Sequence, residues 1–120
     1  MAKFTELRSF LSRTTEAINQ NRKAREVILK STQHFPGIIF QFHVNGAKFY
    51  LVFFADGHAE LIDGYYPSSD VHIIANSDVM LDFLTGKVKL KNITESGTLY
   101  IEGELHQMNY LLQAIAATSK

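Results

Sequence analysis

Five histidines carry the most versatile chemistry in this sequence, because imidazole both binds metal ions and titrates near neutral pH. They stand at positions 34, 43, 58, 72 and 106. No two have the i, i+4 helical spacing of a zinc site, and no acidic residue is spaced to complete one. His43 and His72 would meet on the sheet surface only if they lie on paired strands. The spacing predicts no metal site.

Motifs for nucleophilic or phosphate chemistry are also incomplete. The chain has no cysteine, which excludes disulfides and thiolate chemistry. Ser68 and Ser69 follow a proline, but they are not part of a Gly-x-Ser-x-Gly elbow. Gly86-Lys87 lacks the preceding glycine and the following Ser or Thr of a P-loop. We therefore predict no catalytic residues, no cofactor and no enzymatic activity.

Charge is distributed unevenly along a chain whose net charge is zero. Residues 1–30 carry seven basic groups against three acids, and residues 31–120 carry five against nine. A basic amphipathic N-terminal helix suits transient contact with an anionic membrane, although a solvated face would look the same. Because acids dilute the basic groups and no aromatic platform accompanies them, nucleic acid is not a predicted partner.

Three lysines alternate near the middle of the chain, at Lys87, Lys89 and Lys91. In an extended segment all three point to one side. We take them as candidate contacts for an anionic headgroup or for the phosphates of a CoA ester. The alternative is a solvated edge whose lysines discourage strand pairing.

The helices and strands that position these groups are indicated by changes in the spacing of apolar residues along the chain. Apolar residues at spacings of three and four predict helix over residues 2–31, as one bent helix or as two with Asn21 as a cap. Alternation from Ile38 predicts a strand, and Asn45-Gly46 and Asp56-Gly57 predict two hairpin turns into further strands. A fourth strand follows at residues 71–75.

The second half returns to helical spacing. Ser77 is the predicted N-cap of a helix that Gly86 ends, a fifth strand is predicted at residues 97–103, and a closing helix follows. The layout is α+β, with helices on one face of a five-stranded sheet. At 120 residues we expect one domain, comprising a helical region at 1–34, a sheet with an inserted helix at 38–103 and a C-terminal helix at 104–117.

The order of these elements, with their glycines, resembles the sterol carrier protein type 2 family. The likeness covers roughly residues 36–116 and is carried by residues 37–44, 70–78, 83–87 and 97–103. Its most specific part is Thr85-Gly86-Lys87 followed by the Gly-x-Leu-x-Ile-x-Gly pattern of the fifth strand. The resemblance implies a mostly antiparallel sheet, and an apolar tunnel between sheet and helices that holds a fatty acid, acyl-CoA, sterol-like molecule or phospholipid.

Two departures from the family pattern argue against a peroxisomal sterol carrier. The chain ends in Thr-Ser-Lys instead of a Ser-Lys-Leu address, and residues 87–96 are more basic than usual. The N-terminus does not read as a secretory signal, and no stretch approaches the roughly 20 apolar residues that span a bilayer. We expect a cytoplasmic protein.

The second strand is apolar on both faces, from Phe49 to Phe54. A sheet covered on one side needs only one apolar face, so something must cover the other, either a homodimer partner or an extra helix. The side that faces the helices depends on the length of the first turn. A two-residue Asn45-Gly46 turn sets Phe42 opposite Phe49, whereas a three-residue turn that includes Ala47 places Val52 and Phe54 beside Phe40 and Phe42. A slip of one residue reverses the faces. A two-residue turn at Asp56-Gly57 would pair Phe54 with Ala59, and we favour Val52 and Phe54 as the helix-facing pair.

A lipid pocket needs apolar side chains in excess of those that close the core. The proposed lining is Phe40, Phe42, Val52, Phe54, Met80, Phe83, Leu84, Met108 and Leu112. The alternative is that these residues fill a solid core, which would leave a structural or dimerising module of the same fold. The nine phenylalanines favour that alternative, whereas the family resemblance favours a lipid carrier.

Overall fold

The computed structural model describes residues 2–87 and 97–118. Its helices are α1 (Ala2–Asn19), α2 (Arg22–Ser31), α3 (Ser77–Leu84) and α4 (Leu105–Thr118). Its strands are β1 (Gly37–Val44), β2 (Ala47–Phe54), β3 (Ala59–Asp63), β4 (Val71–Ala75) and β5 (Leu99–Gly103).

The strands form one sheet in the order β3-β2-β1-β4-β5. Strands β1 and β4 pair in parallel, and the other neighbouring pairs are antiparallel. The described helices lie over one face of this sheet. The predicted fold class, an α+β fold with a mostly antiparallel five-stranded sheet covered on one face by helices, is confirmed.

The N-terminal helical region consists of two helices, because Asn21 interrupts it. The backbone of Asn21 is extended, and its side-chain oxygen accepts a hydrogen bond from the Ala24 amide at 2.9 Å, as an N-cap does. Its side-chain nitrogen donates to the Ala117 carbonyl at 3.1 Å, which ties the start of α2 to the end of α4. The two-helix alternative is therefore correct.

The first hairpin turn fixes which side of the sheet receives the large aromatic rings. Asn45 and Gly46 both have positive φ, at 51° and 83°, as a two-residue turn requires. Phe42 consequently lies opposite Phe49, and Phe40 opposite Leu51.

The second turn is one residue longer than predicted. The loop has three residues, 55–57, because the Phe54 amide donates to the His58 carbonyl at 2.9 Å and Gly57 adopts a φ of 98°. Phe53, and not Phe54, therefore pairs with Ala59. The expectation that Val52 and Phe54 face the helices is wrong, since both lie on the open face of the sheet.

The N-cap of helix α3 lies one residue before the predicted cap. Asn76 is the N-cap, with its side-chain oxygen accepting from the Val79 amide at 2.9 Å, while Ser77 is buried and accepts from the Asn45 side chain at 2.7 Å. Gly86, at a φ of 83°, follows the end of the helix as predicted.

Strand β5 starts at Leu99, two residues later than predicted, and ends at Gly103. At Gly103 a β-carbon would lie 2.2 Å from the Asp70 carbonyl oxygen, and φ is 104°. The glycine allows the chain to pass close to β4 as it turns into α4.

Candidate functional site

The sheet face beneath the helices is lined by apolar side chains. Phe40 and Phe53 meet edge to face with ring centroids 5.1 Å apart, and Phe42 stacks on Phe49 at 5.4 Å. These rings form the floor of the space between the two layers. The residues of this face are Ile38, Phe40, Phe42, Val44, Phe49, Leu51, Phe53, Ala59, Leu61, Val71, Ile73, Ala75, Leu99 and Ile101.

Most of the predicted lining residues share this interior. Phe40, Phe42, Met80, Phe83, Leu84 and Met108 are buried in one cluster, against which the half-buried Leu112 packs. Val52 and Phe54 are excluded from it because of the register described above. Phe54 instead stacks on the imidazole of His58, with centroids 4.4 Å apart.

One buried polar pair lies at the interface of α2 and α4. The Ser31 hydroxyl donates to the Gln107 side-chain oxygen at 2.5 Å, and the Gln107 nitrogen returns a bond to the Ser31 carbonyl at 3.3 Å. Both residues are almost fully buried. The sequence analysis missed this pair, because residues 76 positions apart give no pairing signal; only Gln107 within an apolar helical stripe hinted at a buried partner.

The candidate headgroup lysines are only partly described. Lys87 is exposed just after α3, and its backbone amide donates to the Asp82 carbonyl at 2.9 Å. Lys89 and Lys91 lie outside the described residues. Their role as anion contacts stays a prediction.

The open face of the sheet is partly covered by the loop over residues 64–70, which Gln41 holds in place. The Gln41 side-chain nitrogen donates to the carbonyls of Phe49 and Gly64, each at 3.0 Å, and its oxygen accepts from the Tyr66 amide at 2.7 Å. Gln41 is fully buried. These hydrogen bonds compensate for the loss of water around the amide, so Gln41 can be buried in an otherwise apolar strand.

Two tyrosines of this loop lie over the open face. The Tyr66 ring is 5.6 Å from that of Tyr50, and the Tyr65 ring is 6.0 Å from His43. The Lys48 ammonium lies 5.3 Å from the Tyr65 ring centre, within cation–π range. The doubly apolar β2 is thus covered in part by its own chain, which neither candidate from the sequence had foreseen.

His43 and His72 do meet on the open face. Their strands are the parallel pair β1 and β4, and Nε2 of His43 lies 3.3 Å from Nδ1 of His72. Burial, followed by the neighbouring His72 and Lys48, lowers the pKa of His43, against an opposing effect of Glu102. Within residues 2–87 and 97–118, no three His, Cys, Asp or Glu side chains are grouped so that they could hold a metal ion.

His58 is a contrasting histidine at the β2–β3 end of the same face. Its Nδ1 contacts the Asp56 carboxylate, and its Nε2 lies 3.1 Å from the Glu60 carboxylate. These hydrogen bonds, first to Asp56 and then to Glu60, raise the pKa of His58. Both ring nitrogens of His58 are therefore occupied by carboxylate partners, and the cluster links the turn to β3.

The basic groups of the N-terminal region have different environments. On α1, Arg8 pairs with Asp63 at 2.5 Å and lies 5.2 Å from the centre of the Phe49 ring, so it is bound to the body of the protein. On α2 the basic side chains are exposed; they are Arg22, Lys23, Arg25 and Lys30. Among the described helices, none has the length and apolar character needed to cross a bilayer.

Comparison with known proteins identifies the family. The model of the SCP-2 sterol transfer family matches residues 16–115, and the chain therefore belongs to that family. A search of curated protein sequences finds no match.

Solved structures share the fold at low sequence identity. A ubiquinone synthesis protein, UbiJ-SCP2, is 20% identical, with 88% of this chain and 85% of that chain covered and a TM-score of 0.66. The sterol carrier protein domain 2 of Helicoverpa armigera is 20% identical, with 93% and 87% covered and a TM-score of 0.64. Sterol carrier protein 2 from Yarrowia lipolytica is 15% identical, with 88% and 89% covered and a TM-score of 0.60.

Proposed function

We propose that this protein binds, and carries in a releasable form, an apolar lipid such as a fatty acid, acyl-CoA, sterol-like molecule or phospholipid, between its sheet and its helices. The observation that carries the proposal is the family match over residues 16–115. The ligand would lie against Phe40, Phe42, Met80, Phe83, Leu84, Met108 and Leu112. Val52 and Phe54 leave the proposed lining because their side chains lie on the other side of the sheet.

The side chains of the interior support this proposal. Met80 and Met108 are both fully buried, and unbranched thioethers adapt their shape to different chains. Ser31 and Gln107 supply hydroxyl and amide groups at the α2–α4 interface, where a lipid headgroup could exchange hydrogen bonds with them. An apolar site with a few polar groups is typical of small-molecule pockets.

The expected affinity suits a carrier. Burying about ten methylenes contributes roughly 8 kcal/mol. Association and ordering offset several kcal/mol of this, which leaves a dissociation constant on the order of micromolar. Because the rings beneath the helices already contact one another, ligand entry would require the helices to move away from the sheet.

A second candidate is a non-catalytic structural or dimerising module with a filled interior. It is favoured by the complete burial of Phe40, Phe42, Phe49, Phe53 and Phe83. It is also favoured by the ring contacts of Phe40 with Phe53 and of Phe42 with Phe49. In this case the protein would act through its surface, for example as a homodimer. Lipid binding decides between the two candidates.

Surface contacts of the carrier are part of the proposal. The exposed basic side chains of α2, rather than Arg8 on α1, would make a transient contact with an anionic membrane, and Lys87, Lys89 and Lys91 would attract an anionic headgroup. We expect the protein to act in the cytoplasm without catalysis, and without nucleic acid as a partner.

The test combines native extraction with a matched pair of variants. Protein purified without detergent is extracted with organic solvent and analysed for lipid by mass spectrometry, and displacement of a fluorescent fatty acid gives the affinity. In Leu112→Glu a charge enters the proposed lining, and we expect at least about tenfold weaker binding because an apolar ligand would remove water from the carboxylate without replacing its hydrogen bonds. Leu105→Glu makes the same change on the same helix at a side chain that is 58% exposed, and should bind normally.

The outcomes separate the two candidates. Uptake by the unaltered protein and by Leu105→Glu, with loss in a Leu112→Glu variant that still unfolds cooperatively, supports the carrier. No extracted lipid and no displacement by any amphiphile would leave the filled module. Replacing the three lysines with Gln should weaken acyl-CoA binding more than fatty-acid binding, and equal affinities would remove the headgroup proposal.

A further inference from the structure

The buried polar side chains in the described part of the chain are all uncharged. Across residues 2–87 and 97–118 they belong to threonines, serines and glutamines. The ionisable residues next to the α2–α4 interface, Lys30, Glu104 and His106, are exposed. A carboxylate or phosphate that entered the interior would therefore lose its water without gaining a buried counter-charge, which is costly.

The Ser31–Gln107 pair borders the proposed lipid space. Ser31 lies on the buried face of α2, and Gln107 directly precedes Met108, one of the proposed lining residues, on the buried face of α4. The buried hydroxyls of Thr15 and Thr32 differ from this pair, because each donates to a backbone carbonyl four residues earlier. Ser31 and Gln107 instead bond side chain to side chain, across two helices.

The hydrogen bonds of this pair leave one donor and one acceptor position open. The Ser31 hydroxyl proton goes to the Gln107 oxygen, so the Ser31 oxygen keeps lone pairs that can accept. The Gln107 nitrogen carries two protons, and within the described residues only the Ser31 carbonyl accepts one of them. A ligand hydroxyl both donates and accepts and can use both positions, whereas a carboxylate only accepts.

We infer that Ser31 and Gln107 select a lipid whose polar end is an uncharged hydroxyl over a lipid of the same chain length that ends in a carboxylate. This inference rests on the proposed function, because it concerns a lipid held between the sheet and the helices. The ligand hydroxyl accepts from the Gln107 nitrogen and donates to the Ser31 oxygen. A charged lipid leaves its headgroup at the protein surface and gains only the burial of its chain.

The test first compares two ligands on the unaltered full-length protein. Displacement of a fluorescent fatty acid is measured with 1-dodecanol and with dodecanoate, which have the same number of carbon atoms, at a pH well above the pKa of a carboxyl group. We expect dodecanol to bind about five- to tenfold more tightly, because it adds hydrogen bonds of ordinary strength and no charge loses its water.

Two variants then separate hydrogen bonding by the pair from the general preference of an apolar site for an uncharged ligand. Gln107→Met keeps a side chain of similar length, and Ser31→Ala removes the hydroxyl. Each should weaken dodecanol binding by about fivefold and change dodecanoate binding by less than about twofold. Gln113→Met is the matched control, because it makes the same substitution at an exposed position of α4 and should leave both affinities unchanged.

The outcomes keep this inference distinct from the proposed function. If both ligands bind the unaltered protein with equal affinity, or dodecanoate binds more tightly, the selectivity is overturned and the carrier stands. The role of the pair is overturned if Gln107→Met and Ser31→Ala keep their affinity for dodecanol, or if Gln113→Met loses as much of it as Gln107→Met. If neither ligand binds the unaltered protein, lipid binding itself is overturned, and the selectivity with it.

Discussion

The two faces of the sheet stabilise their side chains by different means. Under the helices, the floor consists entirely of apolar residues whose rings pack on one another, such as Phe42 on Phe49. On the open face, apolar residues share the surface with Gln41, His43 and His72, and cover comes from a loop pinned by hydrogen bonds. The first face depends on volume and shape, and the second on specific polar partners.

The comparison explains how β2 can be apolar on both sides without a second helical layer. The Tyr66 ring contacts Tyr50 of β2, and the Tyr65 ring contacts His43 of β1. Gln41 holds the loop through hydrogen bonds to the Gly64 carbonyl and from the Tyr66 amide. On the open face, part of β2 is thus covered by a loop that the Gln41 side chain holds, whereas on the other face it is covered by packed helices. The polar side chains Gln41, His43 and His72 therefore lie on the open face, beside this loop.

The sharpest test compares the same substitution on the two faces. Phe42→Ala should lower the free energy of unfolding by about 3–5 kcal/mol, because the ring is fully buried and its loss leaves a cavity. Phe54→Ala removes a partly exposed ring from the other face and should cost only about 1 kcal/mol. Urea unfolding of both variants measures the difference. Equal losses would mean that the open face is as tightly packed as the interior.

A second test addresses the hydrogen bonds by which Gln41 holds the loop over residues 64–70. Gln41→Leu keeps the approximate side-chain volume but leaves the Gly64 carbonyl and the Tyr66 amide without their partner, which should cost about 2 kcal/mol. Hydrogen exchange should show the Tyr66 amide losing protection, while the amides of α2 and α4 keep theirs relative to global stability. Retained protection at Tyr66 would show that the loop is held by its rings instead.

The smallest expected effect is a pH dependence at the β2–β3 turn. Because Asp56 and Glu60 raise the pKa of His58 above its ordinary value of 6.5, the charged imidazole binds its proton more tightly in the folded state. This stabilisation is fully present below pH 6.5 and is lost as pH rises through the folded-state pKa. With a side chain 41% exposed, the effect should stay below about 1 kcal/mol.

His58→Gln isolates this contribution. The difference in unfolding free energy between the variant and the unaltered protein should shrink as pH is raised from 6 to 9. An unchanged difference over that range would show that the contacts of His58 with Asp56 and Glu60 contribute no charge-dependent stability.

Much of the fold was predictable because local signals are strong in this sequence. Alternating residues in β1 predicted a strand, and the Asn45-Gly46 pair predicted a hairpin turn whose length, two or three residues, the sequence left open. The structure has the strand and a two-residue turn. The α+β layout with five strands followed from the order of such segments. The failure at the second turn had a definite cause: Asp-Gly suits loops of two or of three residues, and only the hydrogen bond from Phe54 to His58 decided between them.

The candidate sites were less predictable. The helix-facing identity of Phe40 and Phe42 follows from alternation in β1, but the faces of Val52 and Phe54 were inverted by the one-residue error in register. The pairing of Ser31 with Gln107 and the reach of Gln41 join residues distant in sequence. No local pattern encodes such contacts, because they exist only once the elements pack.

The sequence by itself determined where helices, strands and turns occur and that the chain resembles the sterol carrier family, since propensity, periodicity and turn chemistry act over a few neighbouring residues. The tertiary structure decided which face of β2 meets the helices, what covers its other face and that His43 meets His72. These outcomes depend on strand register and on a loop that folds back over the sheet. A shift of one residue, invisible in local preference, sends every side chain of a strand to the opposite face.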